Sequence, residues 1–189
     1  DLRFGPEPIT RQIHREARYY YEMHAALEPI RGGSGGNAAC RLLAGTIESR
    51  LKSTFERLFR LLGLQYPPKD MYAAYLAVER GRGDELSTAV DFLDSILDHN
   101  LKRVLLPLLD SSGHLSSRGR DLYGIGQLTV EAAIAEMMKA RDEWLVCCAI
   151  AAAGELKLRD LTGEVEKAAA GWGPVVEGVT RATMLALAH

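Results

Sequence analysis

The side chains that most often carry chemistry in proteins are spread along this sequence of 189 residues without a catalytic or metal-binding spacing. None of the five histidines lies four residues from another, and no His-Glu-x-x-His pattern occurs, so the spacing favours no metal site. The five are His14, His24, His99, His114 and His189, and we expect surface or turn positions for all of them. His99 lies in a turn between two predicted helices, where its imidazole is able to cap a helix end.

The glycine-rich segment Gly32 to Gly36 contains a serine, as a nucleophile turn would. It follows no predicted strand, however, and it lacks the Gly-Lys-Ser/Thr ending of a phosphate-binding loop. Its composition is that of an engineered linker, and a natural flexible loop between two helices is the alternative. We therefore predict no catalytic residue, no metal ion and no cofactor, and we predict that the protein is not an enzyme.

The cysteines Cys40, Cys147 and Cys148 also lack a metal-ligand spacing. Two of them are adjacent, so on one helix their side chains would point in different directions. We predict buried, small apolar residues in a reducing compartment.

Charge and hydropathy exclude two classes of partner. The net charge is −2 and basic residues form no stripe, so we predict no nucleic-acid partner. The longest apolar run, Trp144 to Ala153, is about half of what a membrane span requires. We expect a soluble segment without a signal peptide that does not itself insert into a membrane. Because the chain opens at Asp1 rather than at a methionine, we also expect a part of a longer gene product.

Helical spacing of apolar residues recurs along nearly the whole chain, and no segment alternates long enough to indicate a strand. The sequence therefore predicts an all-α class. The predicted helices cover residues 9–27, 37–62, 70–79, 85–97, 100–109, 116–123, 129–140, 143–153, 158–169 and 174–188. From about residue 84 the helices become short and paired, so we predict a segment of long antiparallel helices over 1–83 and a continuous repeat domain over 84–189.

A repeat is indicated by aligning Ala89, Ala149 and Thr180, which lie 60 and 31 residues apart. The segment Asp142 to Leu156 resembles the first helix of a HEAT repeat, with an acidic turn, a hydrophobic pair, small residues and then Gly-Glu-Leu. Val146 stands where many HEAT units carry arginine, so the polar ladder between repeats is in doubt. The resemblance implies an α-solenoid of HEAT-like helical hairpins preceded by two longer helices.

A narrower resemblance rests on four segments, residues 55–64, 66–75, 89–97 and 105–109. Together they are similar to the soluble HEAT-repeat region that follows the membrane domain in bacterial major-facilitator proteins related to ATP/ADP translocases. The resemblance implies a cytoplasmic appendage, on the inner side of the bacterial inner membrane, whose transport chemistry belongs to another part of the polypeptide. No nucleotide-binding residue carries over onto this chain.

The function expected from these patterns is protein interaction or regulation by a non-catalytic helical-repeat domain of a transporter-like protein. A stand-alone cytosolic HEAT-repeat scaffold is the first alternative. A HEAT-like alkylpurine DNA glycosylase is the second, although the net acidic repeat half disfavours it. For that reading Trp144, Trp172 and Tyr123 would offer stacking surfaces, but a tryptophan at the start of a repeat helix is more often packed in a core.

The predicted contact surface for a protein partner, or for a neighbouring domain of the same polypeptide, is a set of basic residues early in the second helices of the pairs. These are Lys102, Arg103, Lys157 and Arg159. On a curved array such helices tend to line the inner surface. An apolar edge near Val176, Val179 and Met184 would favour self-association of the isolated chain. The sequence does not predict the oligomeric state.

Overall fold

The computed structural model describes residues 6–33, 36–81, 83–109 and 114–188. These residues form ten α-helices and one 3-10 helix and contain no β-strand, so the predicted all-α class is confirmed. The helices are α1 (Pro6–Gly33), α2 (Ala38–Leu62), α3 (Pro68–Arg80), α4 (Gly83–Ile96), α5 (His99–Leu109), α6 (Leu115–Tyr123), α7 (Val130–Met137), α8 (Glu143–Glu155), α9 (Thr162–Ala169) and α10 (Pro174–Ala188). The 3-10 helix, Arg159–Leu161, lies between α8 and α9.

Several helix ends lie where local signals predict them. The Asn37 Oδ1 atom accepts the Cys40 N–H at 3.2 Å and caps α2, and Gly63 follows the last residue of that helix. Helix α10 begins at Pro174 as predicted, because the φ angle of proline already suits the first turn. These ends depend on residues that are neighbours in sequence, so the sequence alone predicts them.

The glycine segment differs from its prediction at one end. Helix α1 runs to Gly33 rather than ending near Leu27, so Gly32 and Gly33 form its last turn. A Cβ atom at Gly33 would clash with the Val130 side chain, which indicates that α1 and α7 approach closely here. Residues 34 and 35 of the predicted linker lie outside the described residues.

The chain divides into two compact units. The described residues of the first lie within Asp1–Glu22 and Leu51–Gly126, and those of the second lie within Met23–Arg50 and Gln127–His189. Both long helices contribute to both units. The sequence predicts that the repeats start at residue 84, but residues on both sides of this boundary belong to the first unit. The extent of the repeats stays a prediction.

The first unit has a core to which five helices contribute. Its buried side chains come from the first half of α1, the second half of α2, and α3, α4 and α5, and they include Ile13, Leu58, Met71, Leu93 and Leu101. All five are at most 1% exposed. The apolar faces of α4 and α5 meet in this core, because an amphipathic helix must cover its apolar stripe with another element.

The second unit is built around α8, whose residues 145–150 are all buried. The first half of α2 runs antiparallel along it. Near one end the Ala39 N–H donates to Glu155 Oε2 at 2.6 Å, and near the other Arg50 Nη2 lies 2.6 Å from Asp142 Oδ2. Asp142 also caps α8, because its Oδ1 atom accepts the Leu145 N–H. The same carboxylate therefore stabilises the start of α8 and forms the ion pair with Arg50 of α2.

Helices α8 and α10 run parallel with α9 between them in sequence. Near the start of both helices, a Cβ atom at Gly173 would lie 4.0 Å from Glu143 Oε1. Further along, the buried Thr183 hydroxyl donates to the Ile150 carbonyl at 3.2 Å, and Gly154 lies directly against Thr183. The absence of a side chain at Gly154 therefore allows the two helices to approach closely.

The apolar edge predicted on α10 is partly wrong. Val176 is completely buried in the second unit, and Val179 and Met184 are half-buried. The large apolar side chains that α10 exposes are instead Val175 and Leu185, which are 58% and 67% exposed. The sequence pattern identified the helix but assigned the wrong part of its circumference to the surface.

Candidate functional site

A cleft lined by basic residues lies between α5 and α6 in the first unit. Its volume is about 670 Å³, which is within the size range of ligand-binding pockets. We call it the cationic cleft. The lining residues from α5 are His99, Lys102, Arg103, Leu106 and Pro107, and those at the start and along one face of α6 are His114, Leu115, Ser117, Arg118 and Asp121.

Helix α5 presents its polar face to this cleft because its apolar face is buried. Its buried side chains include Leu101, Val104 and Leu105. Asp98 caps the helix, since its Oδ1 atom accepts the backbone N–H groups of Asn100 at 2.9 Å and Leu101 at 3.0 Å. The capping role expected for His99 is thus taken by the preceding aspartate, and the His99 side chain lines the cleft instead.

Helix α6 is positioned against α5 by Tyr21 of α1. The buried Tyr21 hydroxyl donates to the Val104 carbonyl of α5 at 3.1 Å. The Tyr21 ring lies 5.5 Å, centroid to centroid, from the ring of Tyr123 at the end of α6. Gly119 packs on the same ring, since a Cβ atom there would lie 3.2 Å from Tyr21 Cδ1. Burial raises the pKa of Tyr21, so its hydroxyl keeps the donated proton over the ordinary pH range.

The charges of the cleft are unbalanced. Among the described residues that line the cleft, Lys102, Arg103 and Arg118 contribute three cations, and Asp121 contributes one carboxylate. Lys102 also lies beside Asp94, with 3.4 Å between Nζ and Oδ1, but both side chains are substantially exposed, so this pair contributes little stability. Arg103 and Arg118 are both exposed and are the groups best placed to bind an anionic ligand.

The structure brings together only two of the four basic residues predicted for partner contact. Lys102 and Arg103 lie on α5 in the cationic cleft. Lys157 was expected in the second helix of a pair, but it follows the end of α8 and has a φ of 55°. Arg159 begins the 3-10 helix. Both are exposed residues of the second unit, outside this cleft.

Sequence analysis missed Arg118, His114 and Asp121 as residues of a candidate site. A signal was present, because positions 114, 118 and 121 are spaced four and three residues apart and so fall on one side of a helix. What the sequence lacks is any indication that this side of α6 faces Arg103. The packing of α6 beside α5 involves Tyr21 of α1, which is far from both helices in sequence.

Within the described part of the chain, no cluster of three or more histidine, cysteine, aspartate or glutamate residues has an arrangement that could hold a metal ion. The predicted burial of Cys40, Cys147 and Cys148 is confirmed, and all three are free thiols whose pKa values are raised by burial. His189 lies outside the described residues.

The tryptophan at the start of α8 is a correction to the sequence interpretation. Trp144 is 51% exposed rather than packed in the core. The apolar packing of α8 is carried instead by residues 145–150, 152 and 153, of which Val146 is completely buried. The position where many HEAT units carry arginine is therefore part of the core of the second unit.

Comparison of the sequence and structure with known protein families, curated proteins and solved structures found no match. A search of the described helices for an apolar stretch long enough to cross a membrane also found none.

Proposed function

We propose that this chain is a non-catalytic helical-repeat domain that binds an acidic segment of a protein partner, or of a neighbouring domain of the same polypeptide. The observation that carries the proposal is the cationic cleft, in which Arg103 and Arg118 come from different helices and face the same space. Two guanidinium groups can each form paired hydrogen bonds with a carboxylate, which suits them to an acidic peptide.

The apolar part of the cleft adds to this argument. Leu106, Pro107 and Leu115 line it beside the cations. A bound segment could therefore place an apolar side chain against these residues while flanking carboxylates approach Arg103 and Arg118. Such a combination of an apolar contact with few well-placed charges is typical of specific peptide sites.

The finer architecture we propose is a solenoid of HEAT-like hairpins. Support comes from the parallel course of α8 and α10 with α9 between them, because equivalent helices of successive repeats run parallel. The resemblance to soluble regions of ATP/ADP translocase-like proteins supports a place on the cytoplasmic side of a larger bacterial membrane protein. A stand-alone cytosolic scaffold remains the alternative. Repeated apolar segments of about 20 residues in the parent reading frame would favour the first, and their absence would favour the scaffold.

The binding proposal is tested with a fluorescein-labelled peptide in which glutamates alternate with leucines, and with a second peptide in which glutamine replaces every glutamate. Fluorescence anisotropy measures the Kd of each for the intact chain. We expect the acidic peptide to bind at least tenfold more tightly, about 1.4 kcal/mol, and to weaken as salt is added.

The matched variants are Arg103→Glu with Arg118→Glu, and Lys157→Glu with Arg159→Glu. Both change the net charge equally at exposed positions, but only the first pair lies in the cleft. Loss of acidic-peptide binding in the first variant alone would support the site. Equal losses in both would mean that only net charge matters, and no loss in the first would refute the cleft.

A further inference from the structure

A second, chemically different groove lies between α3 and α4, and we call it the alanine groove. The two helices form an antiparallel hairpin, and α3 ends at Gly81, whose φ of 61° is the left-handed conformation that glycine adopts without strain. Along α3 the residues lining the groove include Asp70, Ala73, Ala77 and Arg80, spaced three, four and three residues apart. This spacing is one face of a helix, about 15 Å long at 1.5 Å per residue.

The apolar lining of the groove combines four alanines with the larger side chains of Leu76 and Phe92. Its volume is about 600 Å³. Ala74 and Ala89 are buried at its base, and Ala73 is exposed. Thr88 adds little polarity, because its hydroxyl already donates to the Asp84 carbonyl at 2.8 Å. The space is therefore apolar and shaped to receive side chains that another element would supply.

Charge distinguishes the two ends of the groove from its middle. Asp70 lies in the first turn of α3, at the end of the hairpin away from the turn. Asp84 and Glu85 lie in the first turn of α4, at the turn end, where Arg80 also lines the groove. Among the described residues that line the groove, three carboxylates against one guanidinium give an acidic rim, with Asp70 at one end and Asp84 and Glu85 at the other. A ligand that complements it has an apolar centre and positive ends.

We propose that the alanine groove is a docking site for an amphipathic α-helix of a protein partner, with small or medium apolar residues on one face and a lysine or arginine at each end. An apolar groove between two helices commonly binds such a helix. The bound helix then places its side chains at positions i, i+4 and i+7 in the groove. The basic residues would be about three turns apart, to match the distance between Asp70 and the Asp84–Glu85 end. The proposal is independent of the cationic cleft, which involves α5 and α6.

The probe is a displayed library of helical peptides of about 14 residues, roughly four turns, with alanine, leucine or valine at the face positions and all residues allowed in the flanks. The intact chain is the selection target, and Kd values of the enriched peptides are measured by fluorescence anisotropy. We expect the enriched flanks to be rich in lysine and arginine. We expect charge-swapped versions with glutamate in the flanks to bind at least tenfold more weakly.

Two variants locate the site. Ala77→Trp fills the groove, and Ala182→Trp places the same side chain at an exposed alanine of α10 as a control. The double variant Asp84→Asn with Glu85→Gln keeps the shape of the groove and removes charge at one end. Circular dichroism and thermal unfolding show whether each variant remains folded.

The proposal predicts that Ala77→Trp abolishes binding of the enriched peptides, that Ala182→Trp leaves it unchanged, and that the charge-neutral variant weakens it severalfold. Enriched peptides with acidic or neutral flanks, or binding that survives Ala77→Trp, would overturn it. Failure of the library to yield any peptide that depends on the groove would overturn it as well.

Discussion

Replacing Gly154 with alanine is expected to destabilise the second unit, although alanine is the better helix former. The new Cβ atom would lie 3.1 Å from both Cγ2 and Oγ1 of Thr183 and 3.3 Å from its Cα. Ordinary carbon contacts are about 3.5–4.0 Å. A change of rotamer cannot relieve the contact with Cα, so α10 itself would have to shift away from α8.

The magnitude follows from two opposing terms. Alanine gains at most about 1 kcal/mol over glycine in a helix interior. Forcing an extra methyl group into a closely packed contact costs about 1–3 kcal/mol. The comparison variant is Gly45→Ala in α2, where nothing lies within 4 Å of the added Cβ atom and only the helix propensity changes. We expect Gly45→Ala to stabilise, and Gly154→Ala to be less stable than Gly45→Ala by about 1–3 kcal/mol.

A double-mutant cycle with Thr183→Ala identifies the cause. That substitution removes both atoms at 3.1 Å and also the hydrogen bond to the Ile150 carbonyl, so alone it should cost about 1 kcal/mol. In its presence Gly154→Ala should be less harmful, with a coupling energy of about 1 kcal/mol.

Urea unfolding followed by tryptophan fluorescence is the suitable assay. Both tryptophans, Trp144 and Trp172, belong to the same unit as Gly154, so the signal reports that unit. Free energies are compared at similar m values. If Gly154→Ala stabilises as much as Gly45→Ala, or if the coupling is within about 0.3 kcal/mol of zero, the close approach of α8 and α10 is not as the structure has it.

Three further outcomes are expected. Tyr21→Phe removes a hydrogen bond to the Val104 carbonyl, so the free energy of unfolding measured by circular dichroism in urea should fall by about 1 kcal/mol, and an unchanged midpoint would contradict its role. Asp142→Ala removes the α8 cap and the partner of Arg50, and should cost about 1–2 kcal/mol, whereas Asp142→Asn keeps a capping oxygen and should cost less in the same assay. Because burial raises the pKa values of the three cysteine thiols, a thiol reagent at pH about 8 should modify the folded protein slowly and the urea-unfolded protein rapidly, and fast labelling of the folded protein would be inconsistent with their burial.

The sequence predicted part of the candidate site and several helix ends. It predicted Lys102 and Arg103 as contact residues, and it predicted a helix over 37–62 and another that begins at 174, and these helix ends are confirmed to within one residue. Each helix end depends on a cap or a backbone preference within one helical turn, and such preferences act between neighbours in sequence. The role of Lys102 and Arg103 in binding a partner stays a prediction.

The sequence did not predict that Lys102 and Arg103 lie in the same cleft as Arg118. It requires α6 to pack beside α5, and that packing involves the Tyr21 side chain, which is far from both helices in sequence. The alanine groove is similar, since alanines on a helix indicate good helix formation but not an open space beside it.

The sequence by itself determined the all-α class and most of the helices, because apolar periodicity and capping are local properties of the chain. The sequence also predicted the burial of the three cysteines, but only the tertiary structure decided which residues at the start of α8 and along α10 are exposed. Val176 is buried and Trp144 is half-exposed, the reverse of what their types and positions suggested. Burial is set by which neighbour covers each face of a helix, and that depends on contacts between residues far apart in sequence.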